Sequence, residues 1–157
     1  MSEKESTSNS YLSFKLGNEI FAANVGSTIK ILQLSNITKV PNSPSNMKGV
    51  INHHGNVLPV VDLSQTLGLP ETAYGKNTCI IILSVGSNSD QLVVGAIVDE
   101  VLNVETIKAE QISEPPSLGK KSTTNSISGV FKKDDIFIMI LNVDSIFNEI
   151  NFENQKD

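Results

Sequence analysis

The stretch that most constrains the fold is residues 47–63, MKGVINHHGNVLPVVDL, in which two apolar runs flank a short polar centre. Both runs are rich in β-branched residues, which favours strands over a helix. Gly55 follows two histidines at the centre and supplies the positive φ that a tight reversal often needs. Pro59 cannot donate to a ladder, so we expect it at a sheet edge or a bulge. The stretch therefore predicts a β-hairpin with a polar tip beside a constrained edge, which suggests a docking surface.

Short apolar runs bounded by turn residues recur along the chain and predict a mainly β protein. Residues 11–16 and 20–23 predict a first hairpin around Gly17 and Asn18. The apolar residues of 29–37 have a mixed period, so that segment begins either as a strand or as a helical turn. Further strands are expected at 78–85, 91–98, 101–107, 127–130 and 136–141.

The C-terminal end carries a helix signal. Asn142 or Asp144 is expected to cap a short helix that presents Ile146, Phe147 and Ile150 on one face.

The chain is long enough for one domain or for two small subdomains, because 157 residues with 39% hydrophobic content can bury a real core. Many short strands in series predict barrels or a sandwich, and the segment 65–77 divides them into two similar groups. We therefore expect a single domain at 11–150 made of two packed barrels, and the sequence leaves open whether strands are exchanged between them. Segment 1–10 is expected to be a disordered arm and 151–157 a polar tail.

The charge pattern argues against nucleic acid as a partner. The formal net charge is −5 and all 12 basic residues are lysines, whereas phosphate binding and base readout rely on clustered lysine and arginine. No apolar run reaches the roughly 18 residues needed to cross a bilayer, and segment 1–10 lacks a signal-peptide core. We therefore expect a cytoplasmic protein without direct membrane insertion.

Few side chains could carry chemistry. Cys79 is the sole cysteine and, within a predicted strand, is expected to be a buried small hydrophobe. If the strand continues through His53 and His54, their side chains point to opposite faces and are poor joint ligands for a metal. No serine lies in a G-x-S-x-G context, so Asp62 has no nucleophile with which to form a catalytic group. It is expected to cap a turn. The sequence therefore predicts no catalytic residue, no metal site and no cofactor.

The central hairpin resembles the signature of the CheW family, in which a strand ending near Gly-Val-x-Asn-Leu-Arg-Gly turns into Pro-Val-x-Asp-Leu. The segments YLSFKLGNEIFA, LVVGAIVDEVLNV and ISGVFKKDDIFIMILNVDSIF also resemble that family in order and spacing. The similar segments extend over residues 11–147, which indicates a free-standing CheW-like domain. The matching hairpin positions are Gly49, Val50, Asn52, Gly55, Pro59, Val60, Asp62 and Leu63.

The resemblance implies two five-stranded SH3-like barrels packed side by side, here followed by the short C-terminal helix. It also implies a non-catalytic adaptor that links the regulatory domain of a CheA-type histidine kinase to the tip of a methyl-accepting chemoreceptor in a signalling array. Such an adaptor is expected to be a monomer in isolation and to join arrays through its partners. Carried over by position, Leu34, Ser35 and Asn36 fall in the loop expected to approach the kinase. The expected receptor-facing residues are Thr28, Ile29, Lys30, Ile51, His54 and Val57.

Two departures from the family pattern concern charge. His53 and His54 stand where the family has Leu and Arg, and Lys30 lies near a position that commonly holds Glu. Imidazole cannot reproduce the bidentate contact of a guanidinium group, and a reversed charge alters partner choice. These departures keep open an alternative function, in which the chain is a divergent CheW-like interaction module in surface motility or development. The sequence also leaves open whether Ile51 or Val57 points into the core.

Overall fold

The computed structural model describes residues 8–34, 36–86, 91–115 and 126–149. Residues 1–7 of the expected arm, the tail at 151–157, Ser35 and Ile150 lie outside the described residues. The described part contains ten strands and two short α-helices, so the prediction of a mainly β fold is confirmed. The strands are β1 (Ser8–Leu16), β2 (Glu19–Asn24), β3 (Thr28–Gln33), β4 (Met47–His53), β5 (Asn56–Asp62), β6 (Cys79–Val85), β7 (Leu92–Val98), β8 (Glu100–Lys108), β9 (Ile127–Lys133) and β10 (Ile136–Leu141), and the helices are α1 (Leu63–Thr66) and α2 (Val143–Glu149).

The ten strands form two five-stranded sheets, one built from the contiguous strands β3–β7 and the other from β1 and β2 together with β8–β10. Sheet 1 has the order β8-β1-β2-β10-β9, and sheet 2 has the order β3-β6-β7-β5-β4. In each sheet two antiparallel hairpins meet at a parallel pair, β2 with β10 in sheet 1 and β7 with β5 in sheet 2. The segment 65–77 therefore connects strands of one sheet, because β5 before it and β6 after it both belong to sheet 2.

Each sheet closes into a barrel through an isolated bridge to its far edge strand. In sheet 2, Thr38 follows β3 and exchanges hydrogen bonds of 2.8 and 2.9 Å with Val50 of β4. In sheet 1, Ser113 follows β8 and exchanges hydrogen bonds of 2.8 and 3.0 Å with Val130 of β9. Closure satisfies backbone groups that an open sheet edge would leave free.

A glycine precedes the bridge residue in both barrels. Gly49 has a φ of 144°, and a Cβ atom there would lie 2.2 Å from the carbonyl oxygen of Thr38. At Gly129 the nearest atom to such a Cβ would be a methyl carbon of Ile112, at 2.6 Å. In sheet 2, the segment after β3 therefore approaches β4 through its backbone. In sheet 1, the segment after β8 approaches β9 through the side chain of Ile112.

The largest of three apolar clusters lies between the sheets, and we call it the shared core. It joins Phe14 and Phe21 of sheet 1, Val61 and Ile81 of sheet 2, and Phe147 of α2, each at most 5% exposed. The other two clusters lie inside the barrels. The sheet 1 core contains Tyr11, Ala22, Ile107, Phe131, Ile138 and Ile140, and the sheet 2 core contains Ile51, Leu58, Val60, Ile80, Ile82 and Ile97.

The ambiguous segment at 29–37 begins as a strand. A 3-10 turn at Val25–Ser27 precedes it, and β3 then pairs antiparallel with β6. The mixed period arises because both faces of β3 carry apolar side chains, with Leu32 packed against the sheet 2 core and Ile31 45% exposed.

The expectation that Pro59 lies at a sheet edge or a bulge is wrong, because the irregularity of the β4–β5 ladder falls between Met47 and Gly49 of β4. Strand β5 lies between β4 and β7, and Pro59 pairs with Val50. The proline fits there because Val50 directs its backbone groups to Thr38, while the ladder from β5 to β7 begins only at Val60. No donor from Pro59 is needed on either side.

The C-terminal helix forms where its cap signal predicts. The side-chain oxygen Oδ1 of Asn142 accepts a 3.2 Å hydrogen bond from the backbone N–H of Ser145, so Asn142 is the cap. Asp144 instead accepts from the backbone N–H of Gly86 at 2.9 Å, which ties the helix to the end of β6. Ile146 and Phe147 face the shared core as expected. No helix in the described ranges is long and apolar enough to span a bilayer.

Gly49→Ala should destabilise the protein by about 3 kcal/mol, because the new methyl group meets backbone at a φ that L-residues avoid. Gly129→Ala should cost less, since its new methyl group meets a side chain instead of backbone and Gly129 lacks the positive φ of Gly49. Gly75→Ala is the matched control, because no atom lies within 4 Å of a Cβ placed there. Urea unfolding of the three variants measures the order, and equal stability of the Gly49 and Gly75 variants would contradict it.

Candidate functional site

The tip of the central hairpin, formed by His53, His54, Gly55 and Asn56, is a two-residue turn. His54 has a φ of 55° and Gly55 a φ of 85°, which is the type I′ pattern that matches the twist of a hairpin. The side-chain oxygen of Asn52 accepts a 3.0 Å hydrogen bond from the N–H of Gly55 and holds the turn. His54 is exposed and His53 is half-buried.

The two histidines contact each other, so the interpretation that they point to opposite faces is wrong. Their ring centroids lie 4.2 Å apart in an edge-on arrangement. The alternation of a strand ends at His53, because His54 adopts the left-handed conformation of the turn. Within the described ranges, no group of three or more His, Cys, Asp or Glu side chains could hold a metal ion.

Lys30 of β3 joins this pair, and we call Lys30, His53 and His54 the basic tip. Partial removal from water lowers the pKa of His53 below its usual value, and the charges of His54 and Lys30 lower it further. The bridge from Thr38 to Val50 joins the segment after β3 to β4, so the edge strands that carry Lys30 and His53 lie on the closing side of the barrel. Three groups that can carry positive charge therefore gather at one surface.

The equivalent position in sheet 1 has the opposite electrostatics. Lys133 also precedes a two-residue turn, formed by Asp134 and Asp135 with φ of 52° and 69°. Its Nζ donates a 2.8 Å hydrogen bond to Glu105 of the opposite edge strand, which raises the pKa of Lys133. Lys133 is neutralised within its own barrel, whereas His53 faces a lysine. The basic tip can therefore interact favourably with an acidic partner.

Exposed apolar side chains accompany the basic tip. Ile29 is 54% exposed and Val57 is 66% exposed, on strands β3 and β5. Ile31 pairs with Ile81, whose side chain belongs to the shared core, so the outer face of β3 borders the junction between the barrels. Val57 lies on the same face of β5 as Val61, another shared-core residue. Apolar side chains next to charge are typical of a protein-docking surface.

The structure separates the six residues expected to face the receptor. Five reach the surface at least partly, with Thr28 half-buried and Ile29, Lys30, His54 and Val57 exposed. The expected surface position of Ile51 is wrong, because its side chain is 5% exposed and packs in the sheet 2 core. It alternates inward along β4, and so it cannot contact a partner.

The expected kinase-facing residues lie beside a cavity of about 520 Å³. Leu34 is half-buried, Asn36 is exposed, and both line this cavity, while Ser35 lies outside the described residues. The opposite wall is formed by the loop after α1, through Thr72 and Tyr74. This cavity could not be predicted from the residues, because its walls come from two loops without regular periodicity.

Asp62 has a structural role. Its side chain is fully buried, and its oxygens accept hydrogen bonds from the N–H of Ser64 at 3.1 Å and from the N–H and hydroxyl of Thr72 at 2.8 and 2.7 Å. The prediction that it caps a turn is confirmed, and the same carboxylate also fixes the loop after α1. Cys79 is only partly buried, against the shared core, and removal from water raises the pKa of its thiol.

The family model of the CheW-like domain matches residues 10–151. This chain belongs to the CheW-like domain family. Relatives include the chemotaxis protein CheW of Thermotoga maritima, 32% identical over 88% of this chain and 87% of the relative, and that of Klebsiella aerogenes, 28% identical over 92% and 84%. Protein FrzA of Myxococcus xanthus is 30% identical over 76% of this chain and 72% of the relative.

A solved CheW-like structure supports the same conclusion. The crystal structure of the scaffolding protein TtCheW from Thermoanaerobacter tengcongensis matches with a TM-score of 0.79 and 28% identity, over 90% of this chain and 93% of that one. Family membership makes the chain a non-catalytic scaffold of the chemotaxis type. Its functional site is therefore a set of contact surfaces.

The lowered pKa of His53 predicts that folding stability falls as the pH drops through about 6.5, the ordinary histidine value, because the unfolded chain then binds the proton more readily. His53→Gln should flatten this dependence, and Lys30→Gln should flatten it partly. Melting temperatures at pH 7.5 and 5.5 measure the effect. An equal change in melting temperature for the His53→Gln variant and the unmodified protein would contradict the prediction.

Proposed function

We propose that this chain couples a CheA-type histidine kinase to methyl-accepting chemoreceptors, binding the kinase's regulatory domain on one surface and the receptor tip on another. Membership of the CheW-like family over residues 10–151 is the observation that carries this proposal. In this role the chain is a cytoplasmic monomer in isolation and joins receptor arrays through its partners.

The basic tip and its neighbours support the receptor contact. Lys30 and His54 are exposed, as are Ile29 and Val57, and this combination suits a helical hairpin that presents both carboxylates and apolar side chains. The chain as a whole has a net charge of −5, so a local excess of basic groups would orient an acidic partner at this surface.

The loop after β3 supports the kinase contact. Asn36 is exposed, and Leu34 is partly accessible while it packs against the sheet 2 core. A loop anchored in this way presents its outer side chains with little ordering cost on binding. This loop is distinct from the hairpin tip, and we propose that the two contact different partners.

A second candidate function is a CheW-like interaction module that serves a signalling system outside chemotaxis. The specific observation in its favour is the basic tip, where His54 replaces the family arginine and Lys30 lies near a usual glutamate position. A receptor selected by these groups would differ from one selected by arginine, because imidazole is charged only near and below neutral pH.

The kinase contact can be tested by calorimetric titration of the purified chain against the regulatory domain of each CheA-like kinase from the same cell. We expect saturable binding in the micromolar range to one of them, about −8 kcal/mol. A folded chain that binds none of these domains would refute kinase coupling. The identity of the kinase that does bind would distinguish a chemotaxis pathway from another signalling system.

His54→Asn should weaken receptor recruitment by about tenfold while it preserves the hairpin, because Asn-Gly is the preferred type I′ pair and only the imidazole is lost. Co-sedimentation with receptor-containing membranes, together with a thermal melt, measures both effects. Asp134→Asn is the matched control, since Asp134 holds the corresponding turn position in sheet 1. Unchanged recruitment by the His54→Asn variant would remove His54 from the receptor surface.

Val57→Lys should also abolish receptor recruitment. It should not unfold the protein, because the side chain of Val57 is 66% exposed. Val104→Lys is its control, as Val104 is 60% exposed on sheet 1. Equal recruitment of the two variants in the same sedimentation assay would show that Val57 makes no contact.

A further inference from the structure

The cavity between the β3–β4 connection and the loop after α1 has walls fixed by hydrogen bonds. Thr72 is held on both its N–H and its hydroxyl by the buried carboxylate of Asp62. Nearby, Nζ of Lys48 donates a 2.7 Å hydrogen bond to Glu71, which ties the same loop to β4. The cavity is therefore formed before any partner arrives, and a preformed pocket binds with a smaller loss of conformational entropy.

The lining combines apolar side chains with a positive charge. Leu34 and Ile37 supply aliphatic surface, and both pack against the sheet 2 core. Tyr74 supplies an aromatic side chain that is 51% exposed. Lys39 also lines the cavity; Lys48 is paired with Glu71 and the carboxylate of Asp62 is buried and hydrogen-bonded to Thr72, so Lys39 presents an exposed positive charge to an occupant.

We propose that this cavity takes an aliphatic side chain flanked by a carboxylate, presented by the regulatory domain of the kinase. The aliphatic group contacts Leu34, Ile37 and Tyr74, and the carboxylate meets Lys39. The inference rests on the proposed kinase contact and extends it, because Leu34 and Asn36 of the expected kinase-facing loop line the same cavity. Charge complementarity selects the occupant, since a basic pocket on a chain of net charge −5 discriminates in favour of an acidic segment.

The test is calorimetric titration of the full chain and its variants with the kinase regulatory domain that binds the unmodified chain. Tyr74→Ala should weaken binding by about tenfold, the usual effect of losing an interface anchor. Lys39→Glu should weaken it by a similar factor, with the loss reduced at high salt. Each variant keeps the buried groups intact, and a thermal melt confirms that it is folded.

Two controls separate the cavity from general effects. Lys76→Glu makes the same charge change at an exposed position of the loop after α1 that does not line the cavity. Phe137→Ala removes an aromatic side chain that is 61% exposed on sheet 1. Both controls should bind like the unmodified chain.

Three results would overturn the inference. Normal binding by both the Tyr74→Ala and Lys39→Glu variants would exclude the cavity while kinase coupling stands. Equal losses from Lys39→Glu and Lys76→Glu would assign the effect to the overall field of the chain. Failure of the unmodified chain to bind any regulatory domain would refute kinase coupling and this inference with it.

Discussion

The shared core between the two sheets is the interaction on which the rest of the structure depends. Strands of both sheets and helix α2 bury apolar side chains in it, including Phe14, Val61, Ile81 and Phe147. Each barrel also has a smaller core of its own. Within the described residues, one isolated bridge closes each barrel. Strands β3–β7 of sheet 2 form one contiguous segment, whereas sheet 1 combines β1 and β2 with β8–β10 from the other side of that segment. The insertion of one barrel into the other and the shared core therefore make the two barrels one folding unit, and both contact surfaces lie on the inserted barrel.

Within this framework, the two barrels share backbone geometry and differ in charge. Both have a type I′-like turn with two positive φ values, and both place a basic residue just before that turn. In sheet 1 that residue, Lys133, forms an ion pair with Glu105, whose side chain is 10% exposed. In sheet 2 the corresponding His53 faces Lys30. The internal ion pair makes sheet 1 self-sufficient, whereas sheet 2 retains positive charge that a partner can neutralise.

Much of the fold follows from local sequence signals, and the remainder depends on long-range pairing. β-branched runs and turn residues predicted most strands, and Asn142 predicted the helix cap, because these signals act within a few residues. The insertion of β3–β7 between β2 and β8 could not be predicted, since it depends on contacts such as β2 with β10 that lie far apart in sequence. The burial of Ile51 against the exposure of Val57 required the register of β4 and β5. Lys39 and Tyr74 had no sequence signal, because loops meet only in the folded chain.

The hairpin tip separates partner choice from folding. Its conformation is fixed by two left-handed residues, by the hydrogen bond from Gly55 to Asn52 and by the ladder between β4 and β5. None of these requires the side chain of His54, which is exposed. A change at this position therefore alters the charge offered to a receptor while the scaffold stays intact. Arginine offers a permanent charge, whereas histidine offers one that depends on pH and on its neighbours. A scaffold protein without chemistry of its own can acquire a new partner by such a substitution, because the free energy of folding resides in the cores beneath the tip.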